Sequence, residues 1–111
     1  MEIVSTSDVK SSSQTEVVMK TIFDETIIEG GRTSFGTVTI PPGARIPLEG
    51  TGSHTQDEYG LILKGSMLTM SGGKEYRVVA GQATFIPHGE KHWAYNDGQD
   101  DCEIVWALVS R

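Results

Sequence analysis

Cysteine is nearly absent: Cys102 is the only one among 111 residues. A single thiol cannot build a disulfide framework or a thiolate zinc cluster within one chain. It opens the last apolar run with no candidate base nearby in sequence, which suits a buried structural thiol better than a nucleophile. Long apolar runs are missing too, and none approaches the roughly 18 consecutive residues that a transmembrane helix needs. Positive charge is scarce. Lys and Arg number 9 against 15 Asp and Glu, a net charge of −6, and no basic run offsets it. Such a chain has no electrostatic footprint for nucleic acid or for an anionic membrane surface, so neither is expected as a partner. The N-terminal stretch MEIVSTSDVKSSSQ has neither the basic start nor the apolar core of a signal peptide, and a cytoplasmic location is expected. Neither a GxSxG elbow nor a phosphate-cradling glycine loop occurs, which removes support for serine hydrolysis and nucleotide chemistry.

Helical periodicity is lacking as well. No window of about 11 residues carries apolar side chains at i, i+3, i+4 and i+7 without a Gly or Pro inside it. What is present is a series of short β-branched or apolar runs divided by turn residues: Val17–Phe23, Phe35–Ile40, Tyr59–Leu63, Met67–Met70, Tyr76–Val79, Ala83–Ile86, Trp93–Tyr95 and Ile104–Val109. The breaks carry Pro41-Pro42-Gly43, Lys64-Gly65, Ser71-Gly72-Gly73-Lys74, Ala80-Gly81, Pro87 and Asn96-Asp97-Gly98. Closely spaced strands with such punctuation predict an all-β sandwich or barrel over residues 15–111. Residues 1–14, rich in Ser and Thr, are expected to form a flexible lead-in.

Three histidines occur: His54, His88 and His92. On an extended chain residues of equal parity share a face, so His54, Gln56 and Glu58 can project to one side. If the strand opened by His92 is a neighbour, its imidazole converges on that pair. Two imidazoles and a carboxylate form the facial set suited to Fe(II), with Mn, Ni or Zn as other occupants. Taken alone, a His and a Glu four residues apart are more often solvated surface. His88, between Pro87 and Gly89, reads as an exposed turn residue. In the last strand Glu103 belongs outside, which turns Cys102, Ile104, Trp106 and Leu108 inward. Trp106 and Ile104 are then candidate pocket walls. If His92 points in, Ala94 shares its face while Trp93 and Tyr95 face out as candidates for a homodimer contact.

Gly81, Pro87, Gly89, His92 and Asn96 resemble, at the right spacing and without a gap, the second motif of the cupin family. His54, Glu58 and Gly65 resemble the second half of the first cupin motif, and Pro42-Gly43 resembles its opening. The first histidine of that motif has no counterpart. Counting back from His54 it falls at Gly52, and counting forward from Gly43 it falls at Glu49, because residues around Leu48–Ser53 lengthen the segment. The resemblance implies a double-stranded β-helix (jelly-roll) barrel holding one divalent metal ion on His54, Glu58 and His92. Glu49 or Gln56 would be an alternative fourth ligand. It also implies a small-molecule ligand, dioxygenase, isomerase or lyase chemistry, and Glu58 as candidate catalytic base. The alternative is a non-catalytic binding or sensor cupin. Asp57–Gly65 is similar to sensor cupins that follow a helix-turn-helix, but 14 preceding residues are too few for that motif, so a stand-alone cupin is expected.

Overall fold

The computed structural model describes residues 1–111. Nine strands form: β1 Val18–Phe23, β2 Thr33–Ile40, β3 Arg45–Ile46, β4 Gln56–Lys64, β5 Ser66–Ser71, β6 Lys74–Val79, β7 Ala83–Ile86, β8 His92–Tyr95 and β9 Cys102–Ser110. The only helical pieces are single turns at Thr6–Asp8 and Glu25–Ile27, and no helix is long and apolar enough to cross a membrane. The all-β expectation holds, and each apolar run becomes a strand. Most gain a residue or two at their ends, where polar side chains continue the ladder beyond the apolar signal. β3, two residues long, left no periodic trace.

The strands divide into a five-stranded sheet in the order β1-β2-β9-β4-β7 and a four-stranded sheet in the order β3-β8-β5-β6, and all the pairings are antiparallel. Consecutive strands often sit in different sheets, the crossing pattern of a jelly roll. Hairpin β5–β6 is closed by Gly72 and Gly73, both at positive φ, a conformation that glycine adopts without a Cβ penalty.

Alternation along β2 and β9 sets the interior face. Val38 and Ile40 are buried, as are Cys102, Ile104 and Trp106, which confirms the parity read from Glu103. Yet only 13 of the 111 residues are buried, few for a domain of this size, because much of the barrel interior is open space. Most of the core faces this space: Val38, Ile40, Met67, Val78, Ile104 and Trp106 belong to the buried cluster and also line the cavity.

Gly36 explains how Trp106 fits. The two residues pair across β2 and β9, and a Cβ on Gly36 would lie 2.0 Å from the Lys20 carbonyl oxygen and 2.5 Å from Trp106 Cζ2. Only glycine lets the indole lie against the strand. Asn96, fully buried, ties the barrel end together. Its Nδ2 donates to the carbonyls of Ile40 and Asp100 at 2.7 and 2.8 Å, and its Oδ1 accepts from the Gly98 N–H at 2.9 Å.

Residues 1–14 contain no buried residue. They lie along β1, where the Ser12 N–H donates to the Met19 carbonyl, the Met19 N–H donates to Ser11 Oγ, and Lys20 Nζ donates to the Thr6 carbonyl.

Trp93 and Tyr95 point away from the cavity but are half-buried, and the Arg45 guanidinium lies over the Trp93 ring at 5.1 Å. Of the exposed large apolar side chains, Phe35, Tyr59 and Leu61 stand on the outer face of the five-stranded sheet, with Phe85 at its β7 edge packed on Tyr59 and also bordering the cavity.

Candidate metal centre

Glu58 is placed by its strand. β4 is held between β7 and β9, so that Glu58 pairs with Ile86 on one side and Leu108 on the other. All three share the inward face and line the cavity. His54 precedes β4, and its carbonyl accepts from the Gly89 N–H at 2.7 Å. That bond pins the loop leading into β4 to the turn that precedes β8. Gly89 adopts φ +77, the left-handed conformation that turns this N–H toward His54. His92, the first residue of β8, pairs with Ser71 on one side and forms an isolated bridge to Gly52 on the other.

These contacts bring His54, Glu58 and His92 together. One ligand atom from each lies within 4.8 Å of the others, close to twice a usual metal–nitrogen bond of about 2.1 Å. His54 Nε2 is 3.4 Å from Glu58 Oε1, and the two imidazole centroids are 4.7 Å apart. His92 Nδ1 lies 2.9 Å from the Glu90 carbonyl oxygen. A carbonyl only accepts, so Nδ1 carries the proton and Nε2 keeps its lone pair for a ligand bond.

The chemistry of this donor set fits a divalent cation. The Glu58 and His54 side chains are 24 % and 27 % exposed, yet neither makes a hydrogen bond to the protein. Mostly buried polar groups normally find partners; here His54 and Glu58 have only one another, at 3.4 Å, and His92 turns its free Nε2 to the same point, a set of donors that a metal ion would satisfy.

The predicted fourth ligands are not brought in. Glu49 is exposed in the lengthened loop, Gln56 pairs with Ser110 at the end of β4, and neither lines the cavity. Gly52 does line it, so the position counted back from His54 is the spatial one. His88 is exposed and its ring faces Asp57 rather than the cavity, with Nδ1 3.5 Å from Oδ1. Cys102 is fully buried, and burial, with Glu103 beside it, pushes its thiol up to about 11. It is a core residue rather than a nucleophile.

The cavity has a volume of about 1000 Å³. Trp106 and Ile104 line it as expected, although the buried Trp106 Nε1–H has no hydrogen-bond partner. Glu90, which the sequence reading missed, also lines it, with Oε2 accepting from Ser71 Oγ at 2.5 Å. Its parity with His92 was the available signal. The one basic side chain in the lining, Arg77, is engaged by Asp97 at 3.0 and 2.5 Å. The Arg77 guanidinium in turn holds the Asp97 carboxyl below its ordinary range.

Solved structures share this architecture. A predicted oxalate decarboxylase from Thermotoga maritima superposes with a TM-score of 0.83 at 24 % identity, covering 99 % of this chain and 100 % of that one. The polyketide cyclase RemF from Streptomyces resistomycificus gives 0.80 at 23 % identity over 100 % of this chain and 80 % of that one. Both confirm the double-stranded β-helix. Among curated proteins, mannose-1-phosphate guanylyltransferase from Klebsiella pneumoniae is 26 % identical over 81 residues, 73 % of this chain but 17 % of that protein. The chain thus spans about a sixth of that relative's length. Residues 36–108 match the family model described as "Cupin domain", and with more than half of its length so matched, the chain belongs to the cupin family.

Proposed function

We propose that this cupin binds one divalent transition-metal ion through His54, Glu58 and His92 and acts on a small organic molecule held in the barrel. The observation that carries this reading is the convergence of two imidazoles and a carboxylate within 4.8 Å of one another on the wall of a large cavity. Iron, manganese, nickel and zinc all suit two imidazoles and a carboxylate. When bound, such an ion polarises a substrate oxygen as a Lewis acid.

The chain's own residues do the remaining work. The Glu90 carbonyl fixes His92 in the tautomer with Nε2 free. The apolar wall formed by Ile104, Trp106 and their neighbours excludes water from the bound molecule. Glu58, whose nearest polar partner is His54 Nε2 at 3.4 Å, would be able to take a proton from a substrate carbon or hydroxyl once released from the ion, which is in keeping with a dioxygenase, isomerase or lyase type of reaction.

A non-catalytic binding role is the second reading, and one observation favours it. Apart from the donor cluster, the only other acid facing the cavity is Glu90, which is occupied by Ser71.

Metal analysis of protein purified without chelator or nickel affinity tests the site. The wild type is expected to carry about one ion per chain, and His92→Ala to lose it with the fold intact by circular dichroism. Unchanged metal content in that variant removes the assigned site. Conversion of a candidate enediol or carbonyl compound, followed by oxygen uptake and product analysis, separates catalysis from binding. A metal-loaded protein that binds such a compound and returns it unaltered supports the second reading.

A further inference from the structure

Two features of the cavity restrict what it can hold. The first is charge. Among its lining residues the acids are Glu58 and Glu90, and the only cation is Arg77, whose guanidinium Asp97 already occupies on both oxygens. A bound metal ion would neutralise an anionic group at the donor cluster, but a negative charge carried elsewhere on the ligand would leave water for a lining that holds Glu90 and offers no free cationic side chain. Burying such a charge without a partner is strongly unfavourable. The wall beyond the donor cluster is apolar, made by Val38, Ile40, Met67, Val78, Ile104 and Trp106. Its volume is at the upper end of that for pockets that enclose drug-sized organic molecules.

The second feature is Gly52. It is bridged to His92 through both backbone hydrogen bonds, Gly52 N–H to the His92 carbonyl and His92 N–H to the Gly52 carbonyl, each 2.9 Å. It lines the cavity without filling it. A Cβ there would meet nothing nearer than Pro47 Cγ at 3.8 Å, so the gap beside the donor cluster has room for ligand atoms.

We propose that this cavity takes a ring-containing, largely apolar molecule that carries no negative charge outside its oxygen-bearing end. Its oxygen-bearing end occupies the gap over Gly52 beside His54, Glu58 and His92, and its rings lie against Met67, Ile104 and Trp106. The head-group assignment rests on the metal reading given above, while the ring assignment rests on the cavity wall alone. Gly52 is thereby a specificity-determining residue.

The test is calorimetric titration of zinc-loaded protein, zinc being redox-silent toward catechols. The ligands are phenylcatechol, catechol and 3,4-dihydroxybenzoate. Phenylcatechol is expected to bind at least about tenfold tighter than catechol, because its second ring is buried as well. 3,4-Dihydroxybenzoate, which puts a carboxylate where phenylcatechol has its second ring, is expected to be weaker than phenylcatechol by about 100-fold, because that carboxylate meets no free cationic side chain. Gly52→Val, whose branched side chain suits an extended residue, should weaken phenylcatechol by at least about tenfold through occlusion of the gap. Thermal melting verifies that this variant is folded.

Phenylcatechol binding no tighter than catechol, 3,4-dihydroxybenzoate binding as tightly as phenylcatechol, or indifference to Gly52→Val in folded protein would each overturn the proposal. Zinc content measured on the same samples reports on the metal reading separately. Phenylcatechol bound by protein that takes up no zinc overturns that reading and supports the ring assignment. Stoichiometric zinc without a phenylcatechol preference overturns the ring assignment and leaves the metal reading standing.

Discussion

At the scale of single residues, the donor set shows how much depends on one missing side chain. Gly52 and Glu49 were equal candidates by counting, because the lengthened loop between Gly43 and His54 allows two alignments. The bridge to His92 decides between them, and a hydrogen-bonded bridge across distant stretches leaves no mark in a local sequence pattern. His54, Glu58 and His92 were legible because a side-chain ligand must be a particular residue type at a particular parity. The Glu90 carbonyl that orients His92 was not, since every residue has a carbonyl. Gly52→His places a third imidazole beside the cluster at a position with room for it and no positive-φ strain. We expect its zinc affinity to rise by at least about tenfold, close to 1.4 kcal/mol, as measured by competition with a chromophoric chelator. Affinity equal to or below that of the wild type would show that position 52 does not face the ion.

At the scale of elements, the strands with clear alternation were the ones read most fully. β9 carries Glu103 among apolar residues, and that one charge fixed its inward face. β4 was harder, because its outward residues Tyr59, Leu61 and Leu63 are apolar and exposed while its inward row includes Gly60. Hydrophobicity there does not report direction, and only the Glu58 position marked the interior. The β2–β9 pair depends on glycine for its closeness. Gly36→Ala would press a methyl group against the Lys20 carbonyl and the Trp106 ring, and a backbone carbonyl held in a ladder cannot yield cheaply. The expected destabilisation is about 2–3 kcal/mol, read as a lowered urea midpoint with unchanged slope. A change below about 0.5 kcal/mol, the range of surface substitutions, would contradict the packing described. Asn96 makes a parallel case at the other end of β2. Asn96→Ala leaves the Ile40 and Asp100 carbonyls and the Gly98 N–H without their partner. At about 1 kcal/mol per lost bond its cost is about 3 kcal/mol. The cupin motif thus contributes both a candidate ligand, His92, and a structural tie, Asn96, and equilibrium unfolding separates the two roles. His92→Ala should lose metal with little change in the stability of the metal-free protein, whereas Asn96→Ala should lose stability first.

For the whole molecule, the two sheets have different outer surfaces. The strand register aligns Phe23, Phe35, Ala107, Tyr59 and Phe85 in one row across all five strands of the larger sheet, and Leu61 and Val105 pair in the next row. This face, rather than Trp93 and Tyr95 under Arg45, is where we place the expected homodimer contact. A second copy is a fitting occupant because two chains of net charge −6 repel each other, so association needs a surface whose central rows carry little charge. Five strands spaced by about 4.8 Å, with several residues rising about 3.4 Å each, offer roughly 600 Å². That approaches the roughly 800 Å² per partner of a standard interface. Sedimentation equilibrium at micromolar concentration should give about twice 12.1 kDa for the wild type. Tyr59→Lys combined with Leu61→Lys should give a monomer that keeps its metal content, because neither side chain lines the cavity. A monomeric wild type, or a dimer untouched by both charges, would remove this face from consideration. Retention of metal by the monomer would show that each barrel completes its own donor set.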